Sequence, residues 1–238
     1  MPPILPMNGK GAAVPPEADF EVARCDMVAR QLRARGIRDS RVLAAMQAVP
    51  RHLFVQPEQA HAAYMDTALA IGEGQTISQP FIVASAAQAL SLSGTERVLE
   101  IGAGCGYQAA VLACLAREVI AIEAHPVLAA AARKRLAKLG YSNLRIEEGD
   151  GSAGWPSAAP FDAILVSAAA PAVPPPLIVQ LVEGGRLVIP VGSPDRQDLL
   201  RIVKRRGRLE RKTLCACRFV PLLGVHGWSP ALQEAARE

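Results

Sequence analysis

The spacing of apolar positions changes near residue 95, and the change separates two differently built stretches of chain. Before it, the periodicity is helical. Phe20, Ala23, Met27 and Leu32 approximate one apolar stripe, which leaves Arg30, Arg33 and Arg35 to face water. Gly36 is placed to end that helix, Asp39 to cap a second one, and Pro50 to close it. Gly72 to Pro80 reads as a polar, glycine-bearing loop, and Phe81 to about Leu92 as an apolar helix. After residue 95, short apolar runs alternate with helical segments. Strands are expected at Arg97 to Ile101, Glu118 to Ile122, Leu144 to Glu147, Phe161 to Val166 and Gly185 to Val191. Helices are expected at Gln108 to Ala116, Pro126 to Leu139 (with Pro126 in the first turn) and Leu177 to Val182. Leu199 to Lys204 and Leu214 to Val220 predict a hairpin-like ending around Gly207. Such alternation implies an α/β fold, a parallel sheet wound with helices on both faces.

Composition narrows the class. At 238 residues, half apolar and a fifth charged, the chain can bury one generous core. No apolar run reaches the roughly 18 to 20 residues of a membrane span, so no membrane association is expected. Residues 1–19 hold prolines and glycines without the apolar core of a secretory signal, and read as a flexible tail. Residues 20–228 read as one domain, with helices and a loop over 20–93 and the alternating sheet over 94–228; residues 229–238 read as a second tail. Five scattered cysteines, an odd number, suit reduced thiols in a cytoplasm. Cys215 and Cys217 share a strand face, but no histidine lies near enough to complete a metal site, and no metal is expected. The absence of a heptad repeat favours a monomer. The net charge of +4 does not by itself suggest nucleic acid.

The most informative segment is Val98-Leu99-Glu100-Ile101-Gly102-Ala103-Gly104-Cys105-Gly106-Tyr107. A buried strand runs straight into glycines, with a helix opening behind them, so a backbone can approach a ligand at the carboxyl end of the sheet. A dinucleotide site would carry G-x-G-x-x-G. Here the spacing is G-x-G-x-G and Glu100 stands in the strand end, which suits a cationic, phosphate-free ligand, S-adenosylmethionine. Glu123 ends the second strand, where an acid can accept from both ribose hydroxyls, and Asp150, followed by Gly151, is placed to meet an adenine. Singly, these acids would read as a solvated strand end and a turn residue. Together with Gly102, Ala103, Gly104 and Gly106 they make a cofactor site at successive strand ends.

Just ahead of this segment stands Gly74-Gln75-Thr76-Ile77-Ser78-Gln79-Pro80, which resembles the active-site loop of the protein-L-isoaspartate O-methyltransferases. Val49-Pro50-Arg51 with Phe54-Val55, Tyr64-Met65-Asp66, Gly149 to Trp155, Pro160-Phe161-Asp162, Gly184 to Leu187, Pro190-Val191-Gly192 and Phe219-Val220-Pro221-Leu222 continue the match. The resemblance runs from about Phe20 to Trp228. Departures are few. Ala70 stands where the family often has proline, and Ala103 and Cys105 occupy positions that are often small and hydroxylated, so those side chains are not credited with hydrogen bonds to a ligand.

The resemblance implies a Rossmann-like class I methyltransferase, with a mostly parallel seven-stranded sheet and an N-terminal helical extension. It also implies S-adenosylmethionine as cofactor, S-adenosylhomocysteine as product, and isoaspartyl proteins and peptides as partners. The free α-carboxylate is methylated, and the ester collapses to a succinimide that can reopen to aspartate. By the same resemblance Ser78 is the active-site serine, holding the substrate carboxylate by hydrogen bond, with Thr76, Ile77 and Gln79 shaping the loop. The bland alternative for Ser78 is a cap for the following helix. Rival functions are a class I methyltransferase for a small molecule or RNA, and a non-catalytic cofactor-binding module. The basic run Arg201, Lys204, Arg205, Arg206, Arg208, Arg211 and Lys212 would serve RNA, but Glu210 interrupts it and no aromatic residue interleaves it, so it reads as the wet end of a hairpin.

Overall fold

The computed structural model describes residues 16–228; the tail expected at residues 229–238, and all but the end of that expected at 1–19, lie outside them. The first helix, α1 (Glu17–Asp26), starts three residues before Phe20 and continues as a π-helical turn over Met27–Leu32 and a 3-10 turn over Arg33–Arg35. The π turn fits the apolar spacing. Met27 and Leu32 are five residues apart and both fully buried, a step that an α-helix would not keep on one face. Gly36 closes the segment in the left-handed region at φ 96°. Asp39 then caps α2 (Ser40–Ala48), its carboxylate accepting from the Arg41 and Val42 amides.

The polar loop expected at 72–80 is in part a hairpin, β1 (Leu69–Gly72) against β2 (Gln75–Ile77). Glu73 and Gly74 both have positive φ, the turn that matches the twist of paired strands. Helix α3 (Pro80–Leu90) ends two residues earlier than its apolar run because Ser91 adopts a left-handed conformation.

The main sheet comprises β3 (Arg97–Ile101), β4 (Glu118–Glu123), β5 (Leu144–Glu148), β6 (Phe161–Val166), β7 (Leu181–Gly192), β8 (Gln197–Arg205) and β9 (Arg208–Cys217). Their order is β5-β4-β3-β6-β7-β8-β9. Pairing is parallel from β5 through β7, and β8 runs against both its neighbours. Helices α4 (Tyr107–Ala113), α5 (Pro126–Lys138) and α6 (Pro175–Val179) provide three of the crossovers, and the chain passes from β5 to β6 through 3-10 turns at Gly151–Ala153 and Pro156–Ala158. The fold is therefore the mostly parallel seven-stranded sheet with an N-terminal helical extension.

Two expected boundaries shift. Leu181 and Val182, read as helix, begin the long β7. The last strand is Arg208–Cys217 rather than Leu214 to Val220, because Arg206 and Gly207 make a two-residue turn with both φ positive and pairing resumes at Arg205↔Arg208. The strand is polar because it lies at the sheet edge, so hydropathy alone did not mark it.

The chain winds from β3 outward to β4 and β5, then returns to β6 on the other side of β3 and winds outward to β7, so the sheet's switch point lies at the carboxyl ends of β3 and β6. One apolar cluster joins Met27, Leu32, Ala84 and Leu90 to Val98, Leu112 and Leu165, and a second, built on Leu99, Ile120, Ile164 and Leu187, fills the opposite face. The N-terminal helices thus pack on the sheet that carries the switch point. Two residues of the basic run are tied down within the fold: Arg201 donates to the Ala89 carbonyl of α3, and Lys204 to the carbonyls of Ile178 and Leu181 at the α6–β7 junction. Among the described residues no helix is long and apolar enough to cross a membrane, and no three side chains are grouped as metal ligands.

Candidate active site

The strand ends β3, β4, β5 and β6 surround one cleft, bordered by Gly102, Gly104, Glu123, Gly151, Ser167 and Leu222. Gly102, Gly104 and Gly106 all have φ between 54° and 87°, the left-handed region, which bends the loop tightly off β3. The Gly102 and Ala103 amides donate to the Ile122 carbonyl at 2.9 and 3.0 Å, which ties the loop to β4. Gly106 serves packing instead: a Cβ there would meet Leu136 Cδ1 at 3.1 Å, so its bareness admits α5.

Glu123 is buried, with one carboxylate oxygen accepting from the Gly104 amide at 2.7 Å and the other from the His125 amide at 2.9 Å. Each oxygen keeps a free lone pair, so the group is fixed in place yet can accept further bonds. Asp150 accepts from the Ser152 amide at 2.8 Å and from the Val225 amide at 2.9 Å. Its partial burial works upward on the pKa, but the bonds from Ser152 and Val225 outweigh it and hold the carboxyl below its ordinary value. Asp150 thereby staples the closing segment of the chain over the cleft, while its neighbour Gly151 forms the cleft wall.

Glu100 has a different environment. It is fully buried, and only one of its oxygens has a partner, Ser167 Oγ at 3.2 Å. The other, Oε2, has none. Burial pushes the Glu100 pKa well above the carboxylate range; the Ser167 bond opposes the shift and the nearby Glu123 charge adds to it. Among the described residues, no lysine or arginine borders the inner cavity that Glu100 shares with Ser78, Gly102, Ala103 and Gly104. A site of this kind suits a cation and repels a pyrophosphate.

Ser78 lies between that inner cavity and an outer one bordered by Asp66, Gln79, Arg218 and Phe219. It caps nothing: the N-cap position of α3 is Gln79, and no side chain bonds the first turn. Thr76 and Ser167 border both cavities and the strand-end cleft as well. The Ile77 side chain is buried in the core and holds the hairpin down. Gln79 donates to Asp66 Oδ2 at 2.7 Å, and Arg35 pairs with the same oxygen while its guanidinium stacks on Phe81.

The structure thus brings Thr76, Ile77, Ser78, Glu100, Gly102, Ala103, Gly104, Glu123 and Gly151 around adjoining cavities, with Gln79 on the outer rim and Asp150 and Gly106 in support behind the walls. Sequence reasoning missed Ser167, Asp66 and the wall formed by Val220 to Leu222. Ser167 was the findable one, because it stands at the carboxyl end of a correctly predicted strand at the switch point.

Comparison with known proteins agrees with this geometry. The profile of the protein-L-isoaspartate(D-aspartate) O-methyltransferase family matches residues 23–227. A protein-L-isoaspartate O-methyltransferase of Methanoculleus marisnigri is 54% identical over 205 residues, covering 86% of this chain and 93% of that protein. One from Koribacter versatilis is 53% identical over 220 residues, covering 92% and 99%. Among solved structures, a protein-L-isoaspartate O-methyltransferase superposes with a TM-score of 0.79 at 29% identity, covering 90% of this chain and 69% of that one. A Plasmodium falciparum structure, described as such an enzyme in complex with S-adenosyl-L-homocysteine, gives 0.73 at 25% identity, covering 86% and 98%. With the profile spanning nearly all of the described residues, the chain belongs to the protein-L-isoaspartate(D-aspartate) O-methyltransferase family.

Proposed function

We infer that this chain transfers the methyl group of S-adenosylmethionine to the free α-carboxylate of L-isoaspartyl residues in damaged proteins and peptides. The methyl ester then closes to a succinimide, from which normal aspartate can be recovered. One observation carries the reading: Ser78 stands at the boundary between an acid-lined inner cavity suited to a cationic donor and an outer cavity open to a peptide.

The donor fits the residues present, since a buried, half-partnered Glu100 is an acceptor awaiting a cation. When bound, the sulfonium supplies an electrophilic methyl carbon and a neutral thioether leaving group. Glu100 takes the ammonium end, Glu123 the ribose hydroxyls, and Gly102 and Gly104 form the floor. Asp150 orders Gly151 and the closing segment against the adenine end. Ser78 holds the substrate carboxylate by hydrogen bond, and Thr76, Gln79 and the backbone at Ile77 shape the passage. An α-carboxyl ionises at roughly pH 3.3 to 3.7, so the nucleophile is charged at neutrality and no general base is needed. The work of the site is alignment and exclusion of water. That accounts for a reaction centre lined mainly by the hydroxyls of Thr76, Ser78 and Ser167, by neutral amides and by Glu100.

Residues 20–228 act in this proposal as one methyltransferase unit that works as a monomer in a reducing cytoplasm; its five free cysteines are in keeping with that compartment. The deciding experiment is a radiolabelled methyl-transfer assay on an isoaspartyl peptide beside its normal aspartyl twin. Base-labile label on the first peptide alone is expected. Equal labelling of both, or label only on RNA or a small molecule, overturns the substrate; tight cofactor binding with no transfer to any acceptor overturns the enzyme.

A further inference from the structure

Gln108, in the first turn of α4, is a buried polar residue with no assigned work. Only 9% of it is exposed, and its amide Nε2 has no hydrogen-bond partner. A buried amide left unpaired is costly, so such a group needs a reason. The inner cavity supplies one. Gln108 borders it together with Glu100, whose Oε2 is the other buried polar atom there left without a partner. One orphan is a donor and the other an acceptor. They flank the Gly102–Gly104 loop from opposite ends, Glu100 from the end of β3 and Gln108 from the start of α4.

We propose that Gln108 holds the carboxylate of the cofactor's amino-acid end while Glu100 takes its ammonium, so that the inner cavity reads a zwitterion. This rests on the methyl-donor reading of the site given above. The chemistry of the wall favours a neutral donor for the carboxylate. An arginine or lysine in its place would sit beside the buried Glu100 and pair with it, removing the acceptor that the ammonium requires. A neutral amide attracts the carboxylate without competing for Glu100. Both unsatisfied atoms would be paired by one ligand group, and a nucleoside lacking that group would leave both unpaired.

The test is calorimetric and needs no turnover. S-adenosylhomocysteine carries the amino-acid end, and 5′-methylthioadenosine is the same thioether nucleoside without it. Their dissociation constants are measured for the full chain and for Gln108→Met, which keeps the bulk, and Gln108→Glu, which replaces the donor by a second anion. Gln108→Met is expected to weaken S-adenosylhomocysteine on the order of tenfold and to leave methylthioadenosine within about twofold, the loss of one hydrogen bond to a charged group. Gln108→Glu should weaken S-adenosylhomocysteine further, again sparing methylthioadenosine, whose retained binding also shows that the variants are folded. Equal loss for both ligands, or no loss for either, overturns the role of Gln108 while the cofactor site stands. Failure of the unaltered chain to bind S-adenosylhomocysteine at all overturns the site reading and this inference with it.

Discussion

The two ends of β3 carry one glutamate each, and their surroundings are opposite. Glu96, just before the strand, is nearly buried, and its carboxylate accepts from the Ser93, Gly94 and Thr95 amides and Ser93 Oγ, at 2.9 to 3.1 Å. Arg186 lies 3.2 Å away. Burial alone would raise its pKa, but those hydrogen bonds overcome it and bring the value down to about 2. Glu100, four residues later, has one serine and an empty lone-pair field, and its pKa goes up. The same side chain is finished structure at the amino end of the sheet and unfinished structure at the carboxyl end. What differs is whether the chain itself supplies the partners. Where it does not, a ligand must.

The comparison is most exposed at Glu96. Glu96→Gln removes the charge that gathers three amides, a hydroxyl and Arg186, and is expected to cost roughly 2–4 kcal/mol of stability in urea unfolding. Affinity for S-adenosylhomocysteine should be unchanged in the folded fraction. Because the folded pKa is depressed from 4.5 to about 2, the stabilisation is present above about pH 4.5 and drains away as pH falls toward 2. A variant with unaltered stability at pH 7 would show that the hydrogen-bonded carboxylate contributes nothing.

Glu100→Gln should do the reverse on both counts. Its raised pKa means that the folded chain keeps the Glu100 proton where the unfolded chain has lost it. That contribution is complete below the unfolded value of 4.5 and is lost as pH rises through the folded one. A permanently neutral glutamine escapes the loss, so the ligand-free variant should gain about 1 kcal/mol or more on the alkaline side. Cofactor affinity should fall by ~2 kcal/mol, since an ionic partner for the ammonium is gone. In the unaltered chain, binding a cation beside Glu100 should expel its proton, seen as a heat that varies with the ionisation enthalpy of the buffer. Affinity that is flat with pH and buffer-independent heats would contradict that arrangement.

The amino end was the less readable of the two. Glu96 stands in none of the sequence motifs: its Ser93 to Thr95 partners are local but depend on a turn that apolar spacing does not mark, and Arg186 joins from another strand, ninety residues away. At the carboxyl end, glycine spacing and acids at successive strand ends made Glu100, Gly102, Gly104 and Glu123 legible, because local backbone geometry dictates those residue types. Strands of the buried sheet were legible for the same local reason. The π turn at Met27–Leu32, the β1–β2 hairpin and the polar edge strand β9 were not, since each is decided by tertiary packing or by a turn conformation at non-glycine residues such as Glu73 and Arg206. Asp150 resembles Glu123 in its bonding, with one backbone amide to each carboxylate oxygen and a lone pair left on each.

Ser78 extends the contrast from cofactor to acceptor. It makes no hydrogen bond to a helix end, and it borders the cavities on both sides. Ser78→Ala is expected to lower kcat/KM for an isoaspartyl peptide on the order of tenfold, the worth of one hydrogen bond to a carboxylate, with S-adenosylhomocysteine binding within twofold of normal. Loss of cofactor binding with unchanged turnover at saturation would move the serine to the donor side.

The smallest expected effect is an absence of slope. At saturating cofactor Glu100 is already ionised by its ligand, and the attacking carboxylate is ionised far below neutrality. Neither group can then change charge between pH 6 and 8, so single-turnover rates should vary by less than about twofold across that interval. At subsaturating cofactor the rates should instead climb as pH rises above the ordinary carboxylate range, because binding must still displace the Glu100 proton. The pair of profiles separates the two glutamate environments from a catalytic base: a base acting on the substrate would give a one-proton rise that persists at saturation, whereas a proton held only by an unfilled Glu100 gives a rise that saturation removes.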